Sequence, residues 1–496
     1  MDFETLLANC EKEELHLSGK VQAFGALVCL NDESLMVTHV SDNIEAFVGE
    51  SPERLLGQTA NQILWLEPSL IEGLNGSHGS RNAQYNTQCR DKQINVRAIR
   101  GDGLIVIEVE LAIDPGSHPT LAEQRSELYP GKGVKWQEAE YFSQLLDTLQ
   151  SLLPFERFML YRFEDDWVGE VVAESTLTEP KHYMGLKFPA SDIPAIARRM
   201  YFENPSRYIP DVESESCNIV SQEEGTPDLT WSDTRSVSPV HITYLKNMGV
   251  LASYSIPIII SGKLWGIVAC HHPRAYNLDA SVRRDAESLV GYFQSIYSAF
   301  LAGQRLALLT DIDKKINETT LKLDVSDDTT ECLELFAAEI RDHMQGSSAA
   351  VWAQGEWYVS GEAIPERMLS CVDAAFEDDT TDYVISTQNI RASHDDAIDD
   401  ERVRGVFAIK MSHESKALRV YVFRPPEAQQ TDWAGNPDKS EQEADEAGRL
   451  SPRESFKKWT EVRGEESLPW GKQDQLTAKK YRVMMLRNTM FRKLNK

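Results

Sequence analysis

The feature that most limits the fold is a long run at helical spacing in mid-chain. From Asp279 to about Leu321 the apolar residues Leu289, Tyr292, Phe293, Ile296, Tyr297, Phe300 and Leu301 recur on one helical face, with no proline to break them. At ~1.5 Å per residue such a helix reaches roughly 60 Å, too long to pack inside one domain. It predicts a spine joining separate folded units. The flanking segments carry short strand patterns, so the chain reads as α+β: antiparallel sheets with flanking helices, in a tandem joined by long helices.

Three units fit the length of 496 residues. The first carries ALVCL at 26–30 and LIVIEVEL at 104–111, and the breaker-rich run from Asp114 to Pro119 closes it. The second carries MLYRF at 159–163 and GEVVAE at 169–174 across the acidic turn Glu164-Asp165-Asp166. It also carries SYSIPIII and KLWGIVAC around Ser261-Gly262-Lys263, a tight hairpin. The third mixes a helix (LELFAAEIRDHM) with strands (AAVWA, VFAIKM, LRVYVFR) and contains an acidic, polar loop from Asp438 to Arg449. The last stretch, Leu476 to Lys496, reads as one basic amphipathic helix leaving the third unit.

Net charge is −27, which repels phosphate backbones and anionic lipid, so neither nucleic acid nor membrane is an expected partner. The seven cysteines form no CxxC pair, which argues against a disulfide framework or structural zinc and for a reducing, cytoplasmic setting. The N-terminus lacks a signal-peptide pattern, and Val250 to Cys270 is interrupted by Ser-Gly-Lys and so is no spanning helix. No nucleotide, zincin or nucleophile-elbow motif occurs, and neither a catalytic residue nor a metal ligand set is expected.

Three blocks in the second unit are specific in combination: FPASDIPAIARRMY at 188–201, RSVSPVHITYLKNMGVLASYS at 235–255 and LWGIVACHH at 264–272. They resemble the chromophore-binding GAF domain of bacterial phytochromes. The resemblance extends over nearly the whole chain, as a tandem of PAS, GAF and PHY domains. It implies an N-terminal extension at 1–16, PAS at 17–125, GAF at 126–305, PHY at 306–480 with a tongue at 430–460, and a linker helix at 481–496.

What the resemblance implies for chemistry is a red/far-red photoreceptor holding a linear tetrapyrrole. Two propionates buried in so acidic a protein require dedicated donors. The resemblance assigns them Arg207 and Arg235, with the hydroxyls of Tyr201, Ser253 and Ser255. The two serines are two apart on a strand and share a face. It places Asp192, Ile193 and Pro194 at the pyrrole nitrogens with His241, His271 at the terminal ring carbonyl, and Tyr161, Phe188 and Tyr244 around the rotating ring. Some branches attach the pigment through a cysteine just before His241. This chain has Val240 there, whereas Cys10 sits where biliverdin-binding members carry theirs. The implied cofactor is therefore biliverdin IXα in thioether linkage to Cys10. The resemblance also implies a figure-of-eight knot at the N-terminus, where Ala23-Phe24 departs from the usual Pro-His and predicts altered packing.

WAGNP at 433–437 and PRESF at 452–456 resemble the two ends of the tongue, in which Asp192 would trade Arg453 for Ser455 between states. The insert Asp438–Glu446 departs from the pattern. The implied partners are a second copy of the chain, through the long helices, and an output domain of histidine-kinase or diguanylate-cyclase type following the C-terminal helix, or a downstream response regulator. The competing reading is a non-photoactive GAF/PAS regulator that senses another ligand.

Overall fold

The computed structural model describes residues 14–114, 116, 119–131, 134–177, 183–222, 225–376, 383–393, 400–411, 418–437 and 455–494. They fall into two compact units: Met1–Ser298 with Asp432–Trp459, and Ala299–Thr431 with Thr460–Lys496. The predicted long helix is present as Ala280–Leu323, 44 residues. Its residues to Ser298 belong to the first unit and those from Ala299 to the second.

The first unit holds two sheets. The PAS sheet runs, in spatial order, Lys20–Gln22, Ser216–Ser221, Val37–Ser41, Gly25–Asn31, Leu104–Leu111, Lys92–Arg100, Arg81–Cys89. The two segments first read as strands are thus central neighbours, with Val28 opposite Ile107. One face buries Val28, Val96, Ile107 and Val109 under short helices. The other buries Leu27, Cys29, Ile99 and Val106 against Leu229, a residue from the GAF sequence. The strand Lys20–Gln22 is bracketed on both sides: Val21 is registered against Cys217, and Gln22 N–H donates to the Thr234 carbonyl at 2.8 Å.

The GAF sheet is antiparallel through Arg207–Ile209, Ala252–Ile260, Lys263–His272, Arg157–Phe163, Gly169–Thr176 and Lys187–Phe188. Its hairpin turns at Ser261 and Gly262, both at positive φ (52° and 74°), as the Ser-Gly-Lys signal predicts. One face packs on the helix Glu138–Leu152 and the start of the long helix, where Phe142 meets Tyr297 at 5.3 Å. Across the edge strand, Trp433 pairs in parallel with Lys187.

The second unit is a five-stranded antiparallel sheet ordered Glu356–Gly361, Ser348–Ala353, Leu418–Arg424, Gly405–Lys410, Val384–Thr387. Strand alternation sends Ala349 and Val351 to a core under the helix Thr329–His343, and Ala350 to a second core under Glu366–Ala375. The C-terminal stretch differs from its sequence reading. It forms two helices, Lys472–Arg487 and Thr489–Leu494, parted at Asn488. Tyr481, Met485 and Phe491 are wholly buried in the first of those cores, because their apolar side chains find the sheet face at hand.

Candidate functional site

The GAF strands aim alternate residues at a cavity of about 250 Å³. The register sets Ser253 opposite His271, Ser255 opposite Ala269, and Ile267 opposite Tyr161, so each strand supplies members of one wall. The opposite wall comes from the segment around Asp192, the helix Ala195–Glu203 and the helix Pro239–Asn247. Pro194, at φ −63°, precedes the first of these helices, and Pro239 opens the second.

Tyr161, Phe188, Asp192, Ile193, Pro194, Tyr201, Arg207, Arg235, His241, Tyr244, Ser253, Ser255 and His271 all line this cavity. Three singled-out residues stand apart. Cys10 and Arg453 lie outside the described residues, and Ser455 is exposed, its hydroxyl accepting from Lys457 N–H at 3.4 Å. Residues the sequence reading passed over also line the wall, among them Leu15, Met159, Met200 and Met248.

The arginines are the chemically unusual members. Arg207 donates to the carbonyls of Arg235 (2.7 Å) and Ser236 (2.8 Å), and Arg235 donates to those of Leu229 and Thr230, both at 3.1 Å. Among the described residues neither guanidinium has a carboxylate partner. Burial therefore lowers both, Arg207 to about 9 and Arg235 to about 10. Such cations are stabilised by any anion that enters. Beside them Tyr201 and Ser255 share a hydroxyl–hydroxyl bond of 2.9 Å.

The histidines are held neutral. Burial, then the positive charge of Arg207, lowers His241 to about 4; burial, then Arg157 and His241, lowers His271 to about 3. A neutral imidazole keeps one donor and one acceptor. Nδ1 of His271 is buried with no hydrogen-bond partner among the described residues, so the wall offers a polar atom to a ligand. The ring of Tyr244 lies near-parallel to His241 at 6.2 Å, and its hydroxyl donates to Asp192 Oδ2 at 3.4 Å.

Residues 433–437 and 455–457, from the two ends of the segment read as a tongue, reach this side of the cavity. Gly435 N–H donates to the Lys457 carbonyl at 2.8 Å. Phe456 is 7% exposed and packs edge-on against Tyr244 at 5.1 Å, and Ala434 shares the cluster with Tyr161 and Phe188. Phe24, at the departure from Pro-His, packs edge-on against Tyr208 at 5.3 Å with the Arg283 guanidinium over both rings.

Comparison with known proteins matches the PAS fold family over residues 10–112, the GAF domain over 138–292 and the phytochrome region over 314–494. A bacteriophytochrome of Pseudomonas aeruginosa is 31% identical, over 97% of this chain and 66% of its own length. Cyanobacterial phytochrome B of Nostoc is 29% identical, over 94% and 64%. The chain thus spans just under two thirds of the length of these relatives. A crystal structure of a bacteriophytochrome from R. palustris shares the fold, with a TM-score of 0.81 at 23% identity over 96% of this chain and 98% of that one. The photosensory core module of a Stigmatella aurantiaca phytochrome matches with a TM-score of 0.79 at 27% identity, over 96% and 97%.

Proposed function

The chain belongs to the bacterial phytochromes as a photosensory module, and from that premise we propose that it is a red/far-red photoreceptor holding biliverdin IXα covalently through Cys10. One observation carries the reading. Arg207 and Arg235, neither with a carboxylate partner among the described residues, line one cavity with two histidines held toward the neutral form and an aromatic wall. That donor set fits a flat, apolar ligand bearing two carboxylates and polar nitrogens.

When bound, a bilin supplies red-light absorption and Z-to-E isomerisation about the double bond before its last ring. The protein's residues do the rest. Arg207, Arg235, Tyr201, Ser253 and Ser255 hold the propionates, and the backbone carbonyl of Asp192 accepts from the pyrrole N–H groups with His241 beside them. Ile193 and Pro194 fix that turn, and His271 donates to the last ring's carbonyl. Tyr161, Phe188 and Tyr244 exclude water around that ring. Attachment at Cys10 is supported by reach. Leu15 lines the cavity, and five residues of extended chain span at most about 18 Å. Val240 offers no thiol on the helix beside His241.

The signal passes to the tongue by partner exchange, Asp192 trading Arg453 for Ser455. Phe456 against Tyr244 supports that coupling, since it ties the tongue to the ring pocket. The domain limits follow the resemblance for PAS 17–125, GAF 126–305 and PHY from 306 with its tongue at 430–460; the stretch from 481 belongs with PHY and not with a linker, since Tyr481, Met485 and Phe491 are buried in its core. The two-sided bracketing of Lys20–Gln22 supports threading of the N-terminal segment as a figure-of-eight knot. The module works in a homodimer and drives a histidine-kinase or diguanylate-cyclase output in the cytoplasm. Among the described residues no helix is long and apolar enough to cross a membrane.

Co-expression with biliverdin followed by zinc fluorescence on a denaturing gel tests the attachment. Wild type gives a fluorescent band and Cys10→Ala gives none; a band retained in Cys10→Ala overturns the assignment.

A further inference from the structure

The strand Leu104–Leu111 carries two glutamates on the face turned to the GAF loop, and both are buried: Glu108 is 1% exposed and Glu110 is 7%. Glu110 is paired with the Arg283 guanidinium. Glu108 has a longer, shared ion pair instead. Arg97, the cation within reach, stands 3.9 Å from its Oε2 and is itself bound to Asp233. A carboxylate removed from water without a close cation costs several kcal/mol unless hydrogen bonds replace its hydration.

What Glu108 holds is a turn. Its Oε1 accepts from Ser232 Oγ at 2.7 Å, from Thr234 N–H at 2.9 Å and from Thr234 Oγ1 at 3.0 Å. Ser232 Oγ in turn accepts from the backbone N–H of Arg235 at 3.1 Å. The carbonyl of Arg235 then accepts from Arg207 at 2.7 Å. One PAS carboxylate, one GAF turn and both cavity arginines thus form a single hydrogen-bonded series.

We propose that Glu108 is a positioning residue for the tetrapyrrole carboxylates: by clamping Ser232 and Thr234 it fixes the turn that presents Arg235 and anchors Arg207, so the PAS sheet forms part of the anion-binding machinery. The proposal rests on the pigment-binding reading above. The negative charge of Glu108 also opposes the effect of burial on both arginines, favouring their charged forms. A carboxylate that served only to glue two domains would need none of this linkage to the cavity.

The test is uptake of two pigments by the full apoprotein, biliverdin and its dimethyl ester, in which both propionates are uncharged. Glu108→Gln keeps the acceptor shape and removes the charge. It is expected to slow or weaken biliverdin uptake about tenfold, equivalent to about 1.4 kcal/mol, while ester uptake stays within about twofold of wild type. Equal losses on both pigments would mean that Glu108 only holds the domains together, and no loss on either would leave it without a role; each result overturns the proposal. Should Glu108→Gln fail to fold, Ser232→Ala carries the same expectations, since it cuts the link to Arg235 and leaves the two Thr234 donors in place. Wild type that takes up neither pigment refutes the pigment-binding reading and this inference together. Normal wild-type uptake with an unselective variant refutes this inference alone.

Discussion

Acidification tests whether His271, 8% exposed, is as dry as its surroundings imply. His271, with an ordinary value of 6.5, is lowered to about 3 by burial and by the charges of Arg157 and His241. Between those values the unfolded chain binds a proton at this site and the folded chain does not. Stability from neutral burial is therefore complete above the unfolded value and lost as pH falls below it. From pH 6.5 to 5.0 the linkage relation gives a loss of about 1.6 kcal/mol for this one residue. The assay compares urea unfolding of apo wild type and His271→Gln at both pH values, reading the transition that the substitution shifts, since a chain with two units need not unfold in one step. Subtracting the variant removes every other titrating group. The expected result is that the wild-type advantage shrinks by about 1.6 kcal/mol at pH 5.0. Curves that remain parallel would show that His271 titrates alike in both states, and the argument that the wall is water-excluding would fall.

Phe456→Ala removes a tongue side chain that is 7% exposed and seated on Tyr244. A loss of about 2 kcal/mol in local stability is expected, seen as roughly thirty-fold faster hydrogen exchange at 432–437 and 455–459, and unchanged exchange would show that this contact does not hold the tongue. At Gly169 a Cβ would overlap the Tyr161 ring. Gly169→Ala is therefore expected to push that ring toward the cavity, destabilise the fold by about 1–3 kcal/mol and impair pigment uptake; normal melting and normal uptake would contradict the packing described.

Most of the cavity was legible from sequence because its residues cluster in three short blocks whose order is distinctive. Strand alternation correctly put Ser253 and Ser255 on one wall, and the absence of proline correctly gave the long helix. Other contributions were hidden for physical reasons. Met159, Met200 and Met248 look like ordinary core, and nothing in their spacing separates a cavity wall from a packed interior. Glu108 and Glu110 alternate with Ile107, Val109 and Leu111, the usual signature of a strand with one wet face. Only tertiary contact shows that this face is covered by a loop from more than a hundred residues away. The signal available was two acidic residues at period two in an otherwise β-branched strand, which by itself reads as solvent exposure. At the C-terminus, periodicity identified helix but not its burial: Tyr481, Met485 and Phe491 belong to a core that local pattern cannot assign.

As a photoreceptor, this chain is proposed to convert red light into a change of state. The most direct measurement is the absorption spectrum of the chain co-expressed with biliverdin, taken before and after red illumination and again after far-red. The expected result is a red band that falls under red light as a far-red band rises, and the reverse under far-red. A protein that binds the pigment but whose spectrum is unmoved by either light would contradict it.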